Sequence, residues 1–330
     1  MEGKQPGGAR RWLVVATKLL IVVLVVWFIR RTLVNAWQQL DEHPWQFDFR
    51  WLAVSGGFYL LGTLLCGIFW HRSLLALGQS VSLARALRAY FIGHLGKYVP
   101  GKAMVVILRT GLVRGEGVDT SLVAVSVFFE TLTMMAVGAF LSATVVVVWW
   151  RQETLLFWAA LGMMVAAGVP TLPPVFRWLV RRLGVGRATP AVVEKLAKLG
   201  YGTMFLGWLL SGLGWVSLGL SFWAVLRALG TTGGNPIAQL HLYTAVVALA
   251  TVAGFMSFVP GGAIVREAVL TQSMVMMAPY MGDAPAVVGA ILLRLVWLVA
   301  ELGISGILYL ATRGSKSGAR RPTGGTTPRQ

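Results

Sequence analysis

Two apolar stretches of the chain are interrupted in the same way. One contains Val99-Pro100-Gly101-Lys102-Ala103, here called the first break, and the other contains Val259-Pro260-Gly261-Gly262-Ala263, the second break. Proline and glycine together stop a helix, and hydrocarbon cannot satisfy the backbone N–H and C=O groups that a break releases. Each break must therefore be buried in protein or line a watery cavity. A matched pair of broken segments in two halves of a chain is typical of the substrate site of a transporter.

The composition predicts an all-α protein embedded in a membrane. Of the 330 residues, 56% are hydrophobic, and runs of about 20 apolar residues are long enough to cross a bilayer as helices. Six spans are predicted, at residues 12–29, 51–70, 121–149, 155–175, 204–226 and 286–311. Arg30 and Arg31 directly follow the first span, which favours a retained anchor over a cleaved signal peptide. The single cysteine, Cys66, lies in the second span, so no intrachain disulfide can form.

The two broken segments, 90–113 and 243–277, are predicted to be re-entrant helical hairpins rather than spans. Each half of the chain then consists of two spans, a hairpin and a third span. Repeat 1 covers about 12–149 and repeat 2 about 155–311. Because three crossings per half is an odd number, the second half must be inverted in the membrane. Inverted repeats with broken helices at their interface are a recurring architecture of transporters.

The distribution of basic residues predicts the orientation. A net charge of +17 would favour nucleic acid as the partner of a soluble protein. With a cytoplasmic N-terminus, however, 21 of the 29 basic residues fall in inner segments and six in outer segments. The positive-inside rule therefore predicts six crossings with both termini in the cytoplasm, and not a nucleic-acid-binding protein. The expected location is the plasma membrane. Residues 1–311 form the transmembrane domain, in which 176–199 is predicted to lie on the inner leaflet; 312–330 is predicted to be a disordered basic tail.

The residues around both breaks resemble a known family. The matching runs are Gly93-His94-Leu95-Gly96-Lys97-Tyr98-Val99-Pro100-Gly101-Lys102 and Phe258-Val259-Pro260-Gly261-Gly262-Ala263-Ile264-Val265-Arg266-Glu267. They are similar to the transmembrane, flippase-like region of lysylphosphatidylglycerol synthase and to the stand-alone membrane proteins related to it. The resemblance covers about residues 12–311. That family often has glycine where this chain has Ile264, so we expect a tighter or shifted turn at the second break.

The resemblance implies transbilayer movement of an anionic or modified phospholipid, or of a polyprenyl-phosphate-type lipid. The lysine-transferring activity of the synthase belongs to a separate soluble domain. This sequence contains neither that domain nor a catalytic motif, so we expect no enzymatic activity and no cofactor. Two alternatives stay open: a secondary transporter of a small solute, and a membrane subunit of a complex for envelope-lipid or aminoacyl-phospholipid synthesis. The expected partners are anionic membrane lipids and an envelope-lipid biosynthetic enzyme.

Charged residues beside the breaks are the candidate site for a lipid headgroup. Lys97, Lys102 and Arg109 surround the first break, where they either gather anionic headgroups or mark the inner side by snorkelling. Arg266 and Glu267 follow the second break. There the guanidinium either binds a phosphate through two hydrogen bonds or pairs locally and fixes the hairpin. His71 and His94 have no cysteine or carboxylate at ligand spacing, so no metal site is predicted.

Of the charged residues inside predicted spans, three are candidate site residues: Glu130, Arg294 and Glu301. A charge inside a span costs at least about 2.5–3.5 kcal/mol unless it faces protein or water. Asp119 stands 11 residues before Glu130, and Asp283 stands 11 residues before Arg294. Aligning the halves on this spacing puts Glu130 opposite Arg294. We expect these two residues to pair across a pseudo-twofold axis, either as a structural tie or as a contact that opens with access. Glu301 shares a helix face with Arg294 and is either a protonatable carboxylate or the partner of another basic group.

Overall fold

The computed structural model describes residues 47–99, 103–115, 117–149, 154–182, 190–231, 236–257, 259–277 and 283–318. Over these ranges the chain consists of helices joined by turns, so the predicted all-α class is confirmed. The helices are α1 (Phe49–Ala76), α2 (Leu83–His94), α3 (Ala103–Val113), α4 (Thr120–Trp149), α5 (Thr154–Gly168), α6 (Pro173–Arg182), α7 (Pro190–Ala197), α8 (Tyr201–Ala228), α9 (Pro236–Met256), α10 (Val265–Met277) and α11 (Asp283–Gly318). Short 3₁₀ helices lie between α2 and α3, α5 and α6, and α9 and α10, at Leu95–Tyr98, Val169–Thr171 and Pro260–Gly262.

Five helices within these ranges, α1, α4, α8, α9 and α11, are long and apolar enough to cross a membrane. Four of them contain predicted spans, namely 51–70, 121–149, 204–226 and 286–311. The predicted span 12–29 lies outside the described residues. The fifth helix, α9, is the first arm of the second broken segment. Its 21 residues extend about 31 Å at 1.5 Å per residue, so this arm is longer than the expected half-helix.

The predicted span at 155–175 is bent rather than continuous. Helix α5 ends at Gly168, the 3₁₀ helix follows, and α6 continues after a bend of 73°. The bend occurs because Pro170 and Pro173 lack the amide hydrogen that a helix interior needs, and each also restrains the residue before it. By length and composition, the bent pair could form one broken span or a re-entrant loop.

Helix α6 begins the segment predicted to lie on the inner leaflet, 176–199. Its Phe176 and Val180 side chains are fully buried, and the Phe176 ring centre is 4.7 Å from that of Phe129 on α4. Trp178, by contrast, is exposed. The amphipathic pattern therefore serves to dock α6 against α4, and its position on the leaflet stays a prediction.

The last helix continues into the segment predicted to be a disordered tail. Helix α11 ends at Gly318, whereas the tail is expected to begin at 312. A helix that already exists can be extended without repeating the cost of nucleation, which explains why the chain stays helical beyond its apolar part. Residues 319–330 lie outside the described ranges.

The core is built on the close contact between α1 and α8. A Cβ atom on Gly62 would lie only 2.9 Å from the backbone oxygen of Gly214, and one on Gly207 would overlap the Phe69 ring. Small residues at helix interfaces allow this kind of close packing in membranes. Trp215 of α8 is fully buried beside the contact. Glycine therefore sets the distance between the two central helices.

The two halves pack on each other reciprocally. In the predicted repeats α1 corresponds to α8, α4 to α11, and the broken segment α2–α3 to α9–α10. Helix α4 packs against α8 and α9, while α11 packs against α1 and α2. Each long helix thus contacts the first arm of the other half's broken segment. A two-fold repeat predicts this pattern of contacts, and the inversion of the second half stays a prediction.

We predict that Gly62→Ala destabilises the protein even though alanine favours helices. The new methyl group meets the Gly214 carbonyl oxygen, which cannot rotate away, and overpacking of this kind costs about 1–3 kcal/mol. The matched control is Gly57→Ala on the same helix, where a Cβ atom has no neighbour within 4 Å and helix propensity improves by about 1 kcal/mol. Thermal unfolding in detergent should give a lower Tm for Gly62→Ala and an unchanged or higher Tm for Gly57→Ala. Equal Tm values for the two variants would contradict the close packing.

Candidate functional site

The segment just before the first break meets the second break inside the protein. The 3₁₀ helix Leu95–Tyr98 directly precedes the first break, and it contacts the 3₁₀ helix Pro260–Gly262 of the second break. The Tyr98 ring lies so close to Gly261 that a Cβ atom there would be 3.1 Å from it. The predicted turn residues of the first break, Pro100 and Gly101, lie outside the described ranges, and so does Lys102, the basic residue that follows them.

Glycines also close each broken segment on itself. In the first segment, a Cβ atom on Gly96 would lie 2.6 Å from the Val105 amide nitrogen. In the second, a Cβ atom on Gly262 would lie 2.9 Å from the Gly254 Cα atom. Both approaches are to backbone atoms, which cannot move aside as a side chain can. The two arms of each segment therefore contact one another through their main chains, in the way expected of a break that protein rather than lipid surrounds.

The backbone of the second break passes through the left-handed region. Gly261 and Gly262 have φ values of 62° and 64°, which glycine adopts freely. Ile264 has φ 68°, and a β-branched residue in this region is a genuine outlier. Its side chain is 66% exposed, so burial does not offset the strain. The chain therefore accommodates isoleucine in a conformation that glycine would adopt without strain.

We predict that the order of stability at position 264 is glycine above alanine. The left-handed conformation costs an L-residue about 1–2 kcal/mol, which Ile264→Gly removes and Ile264→Ala retains. At an ordinary position the order is the reverse, because glycine loses more backbone entropy on folding. The Tm of purified Ile264→Gly should therefore exceed that of Ile264→Ala. A higher Tm for the alanine variant would show that residue 264 stores no strain.

A buried ion pair joins the first broken segment to the long helix that follows it. Arg109 Nη1 of α3 donates to Glu130 Oε2 of α4 at 2.7 Å, and both side chains are only 2% exposed. The Tyr90 hydroxyl of α2 donates to Glu130 Oε1 at 3.1 Å, and the Arg109 guanidinium lies 3.9 Å from the Tyr90 ring centre. Both oxygens of Glu130 are therefore occupied, and Arg109 is closed off from the membrane in this conformation.

The second broken segment is tied to its long helix by an ion pair of opposite polarity. Arg294 Nη1 of α11 donates to Glu267 Oε1 of α10 at 2.5 Å. The basic residue stands on the broken segment in the first half and on the long helix in the second half. The predicted pair between Glu130 and Arg294 is therefore wrong. Each residue binds the opposite charge on the arm packed against its own helix, because a buried charge needs a partner within hydrogen-bond distance.

A third carboxylate joins the two halves. Lys97 Nζ, just before the first break, lies 2.5 Å from Glu301 Oε1 of α11, and the Tyr59 hydroxyl of α1 donates to the same oxygen. His94 Nε2 is 3.1 Å from Lys97 Nζ and 3.9 Å from Glu301 Oε1. The Glu301 side chain is 3% exposed and that of Lys97 26%. Lys97 therefore reaches inward, and it is the basic partner that the sequence left unidentified for Glu301.

Arg266 has no acidic partner among the described residues. Its guanidinium lies over the Trp297 ring, 4.4 Å from the ring centre. Within the described chain neither an ion pair nor a hydrogen bond joins this guanidinium to another residue, and the adjacent Glu267 is bound by Arg294 instead. The local pairing of Arg266 with Glu267, one of the two alternatives from the sequence, does not occur.

The described groups around the second break carry one surplus positive charge. Lys97, Arg266 and Arg294 supply three cations, and Glu267 and Glu301 supply two carboxylates. The Oε2 atom of each carboxylate is buried without a hydrogen-bond partner in the described part of the chain. No group of three or more His, Cys, Asp or Glu residues in the described ranges could hold a metal ion. The arrangement is therefore suited to a singly charged anion.

Aromatic residues complete the site, although the sequence does not single them out. Tyr59 binds Glu301, Tyr90 binds Glu130, and Trp297 supports Arg266. A signal was available for Trp297, since it stands well inside a span, away from the ends where interfacial tryptophans concentrate. A tyrosine buried in a span likewise needs a partner for its hydroxyl, which points to a polar group nearby.

The structure is that of a multi-pass membrane protein with a polar centre. Its helices are long enough to span a membrane, and its buried charges lie near the breaks. The chain belongs to the family described as the lysylphosphatidylglycerol synthase TM region, whose model matches residues 15–303. The matched range includes both breaks and all the ion pairs described above. A comparison with curated proteins finds no match. The family indicated by the residues around the breaks is therefore confirmed, and it links the protein to lipid metabolism or transport.

We predict that Glu130→Gln destabilises the protein more than the double variant Arg109→Gln/Glu130→Gln does. The single change leaves a buried guanidinium without its carboxylate, which costs about 3–5 kcal/mol, whereas the double variant leaves no buried charge. Glu194→Gln, at an exposed position on α7, is the control for the chemical change alone and should leave the Tm unchanged. Thermal unfolding in detergent measures all three. A double variant less stable than Glu130→Gln would contradict the pairing.

Proposed function

We propose that the protein moves an anionic or modified phospholipid, or a polyprenyl-phosphate-type lipid, between the leaflets of the membrane. The observation that carries this proposal is Arg266, a guanidinium beside the second break with no acidic partner in the described chain. A cation in a membrane-embedded site is costly unless an anion or water balances it. The family is named for a lysylphosphatidylglycerol synthase, which supports a phospholipid as the source of that anion.

The lipid phosphate binds at Arg266 in this proposal, because a guanidinium forms two parallel hydrogen bonds with phosphate oxygens. Trp297 holds the guanidinium from one face and leaves its N–H groups for the ligand. Helix α10 begins just beyond the second break, and the amides of a helix N-terminus attract anions. One phosphodiester charge balances the surplus positive charge of the site.

The other residues predicted to bind a headgroup take different roles. Arg109 is buried and paired, so it holds the first broken segment in place. Glu267 positions Arg294. Lys97 is bound to Glu301 in this conformation and can reach a phosphate only when that bond opens. Lys102 keeps the role predicted from the sequence, which is to collect anionic headgroups at the inner face.

Transbilayer movement occurs by rocking of one repeat against the other while the acyl chains stay in the bilayer. The Arg109–Glu130 and Arg294–Glu267 pairs each lie within one half, so each half can move as a unit. The surfaces that slide are those between α1 and α8 and between each long helix and the opposite broken segment. The Lys97–Glu301 pair crosses between the halves and must therefore open or change during movement.

In the cell, the protein lies in the plasma membrane with both termini in the cytoplasm, which the excess of inner basic residues supports. It makes and breaks no covalent bond. An envelope-lipid biosynthetic enzyme supplies the lipid or consumes it, and a gradient of the lipid or of protons drives the movement.

We predict that Arg266→Gln slows the movement of phosphatidylglycerol at least about tenfold, since loss of a charge-assisted hydrogen bond costs about 1.5–3 kcal/mol. The assay uses protein reconstituted in phosphatidylcholine vesicles that contain a trace of headgroup-labelled phosphatidylglycerol, and an impermeant quencher reports the label at the outer leaflet. The matched control is Arg227→Gln. Arg227 also lies over a tryptophan, 5.5 Å from the Trp51 ring centre, but away from the breaks.

Equal rates for Arg266→Gln and Arg227→Gln would remove Arg266 from the lipid path. A wild-type rate no higher than that of protein-free vesicles, with phosphatidylglycerol and with phosphatidylcholine labels, would contradict lipid movement. Uptake of a labelled small solute into the same vesicles would then favour the solute transporter. Copurification of a soluble transferase would favour a subunit of a lipid-synthesis complex.

A further inference from the structure

Glu301 is buried where the two halves meet, and its two carboxylate oxygens have different surroundings. Oε1 accepts from Lys97 and from Tyr59, whereas Oε2 has no partner in the described chain. We propose that Oε2 of Glu301 is a proton-binding site, and that proton binding there transfers Lys97 from Glu301 to the lipid phosphate. The inference rests on the proposed function and adds the coupling ion to it.

The contacts of Lys97 identify the open acceptor in the described conformation. An ammonium group has three donors and no acceptor. Lys97 Nζ lies 2.5 Å from Glu301 Oε1 and 3.1 Å from His94 Nε2, so an ammonium at this position donates to both atoms. The Lys97–Glu301 pair is closed in this conformation, and Oε2 is the oxygen of Glu301 without a partner in the described chain.

Protonation of Oε2 changes the partner of Lys97. The proton comes from water, forms one O–H bond on Glu301 and removes its charge, while Lys97 keeps its three protons. The attraction between the two groups falls, and Lys97 joins Arg266 as a second cation without a carboxylate. The surplus charge of the site rises from one to two, which favours an anionic headgroup. Loss of the proton to water on the other side restores the Lys97–Glu301 pair and releases the phosphate.

A continuous row of contacts links the proton site to the proposed phosphate site. The Arg266 guanidinium lies on Trp297, and the Trp297 ring stacks on Tyr59 with ring centres 4.6 Å apart. The Tyr59 hydroxyl donates to Glu301. A change in the charge of Glu301 therefore acts on the group that supports Arg266, as well as on Lys97.

Glu301 differs from the other two carboxylates in the cations that surround it. Glu267 faces Arg294, whose guanidinium stays charged, and Glu130 has both oxygens occupied. The helices packed on α11 are α1, α2, α8 and α10, and α8 has titratable residues only near its ends. Titratable groups face Glu301 from α1, α2 and α10, from the 3₁₀ helix before the first break and from α11 itself. They are Tyr59, His94, Lys97, Tyr98, Arg266 and Arg294.

Binding of phosphatidylglycerol to the detergent-purified protein tests the exchange without requiring transport. Wild type should bind about tenfold more tightly at about pH 6 than at about pH 8, because one proton joins the lipid-bound state. Glu301→Gln mimics the protonated state and should bind tightly at both pH values. Lys97→Met lacks the exchanged cation and should bind weakly at both. Glu194→Gln, the exposed control, should behave as wild type. A tenfold pH dependence that persists in Glu301→Gln and Lys97→Met would overturn the proposal.

Two further readouts separate failure of this inference from failure of the proposed function. Infrared difference spectra on acidification should show the carbonyl band of a buried carboxylic acid in wild type and Glu194→Gln but not in Glu301→Gln. In vesicles, movement of phosphatidylglycerol should carry protons that an internal pH dye detects, and Glu301→Gln should uncouple the two. Lipid movement without the band and without proton flux would overturn the proton site alone. The band and the pH-dependent binding without any lipid movement would support the proton site and contradict transport.

Discussion

The inability of hydrocarbon to bind backbone polar groups governs this structure. Each break frees N–H and C=O groups. The second break is covered by protein, because it lies against its own arms and against the 3₁₀ helix that precedes the first break. This burial requires glycine at the closest approaches, as at Gly96, Gly261 and Gly262. It also requires α4 and α11 to pack on the opposite broken segments. The polar centre of the molecule is a consequence of where the breaks had to be placed.

Charges gather at that centre because no other membrane-embedded part of the described chain is polar enough to hold them. In a medium of low dielectric constant each charge needs a partner at short range. Three carboxylates find a cation there, and Arg266 rests on an aromatic ring without a carboxylate. The pairs explain how the halves stay assembled. In the proposed function, Arg266 is the group that binds the anionic ligand.

The parts of this fold that depend on local composition could be predicted from the sequence. Spans such as 51–70 and 121–149 are continuous apolar runs, and a Pro-Gly break is a local feature too. The bend at Pro170 cannot be recognised from hydropathy, because the residues around it are apolar. The length of helix α9 is underestimated from the sequence, because Gln239 and His241 interrupt the apolar run near its start. Pairing of buried charges could not be predicted, because aligning two repeats gives equivalent positions and not neighbouring ones.

The reversed polarity of the two ion pairs bears on how the chain folds correctly. A repeated architecture can misassemble when the hairpin of one half docks on the long helix of the other. Such an exchange would bring Glu130 against Glu267 and Arg109 against Arg294. Both contacts would bury like charges, and each would raise the free energy of the wrong assembly by several kcal/mol (about the cost of like charges at an interface). The two predicted repeats are thus kept distinct by the opposite polarity of their ion pairs.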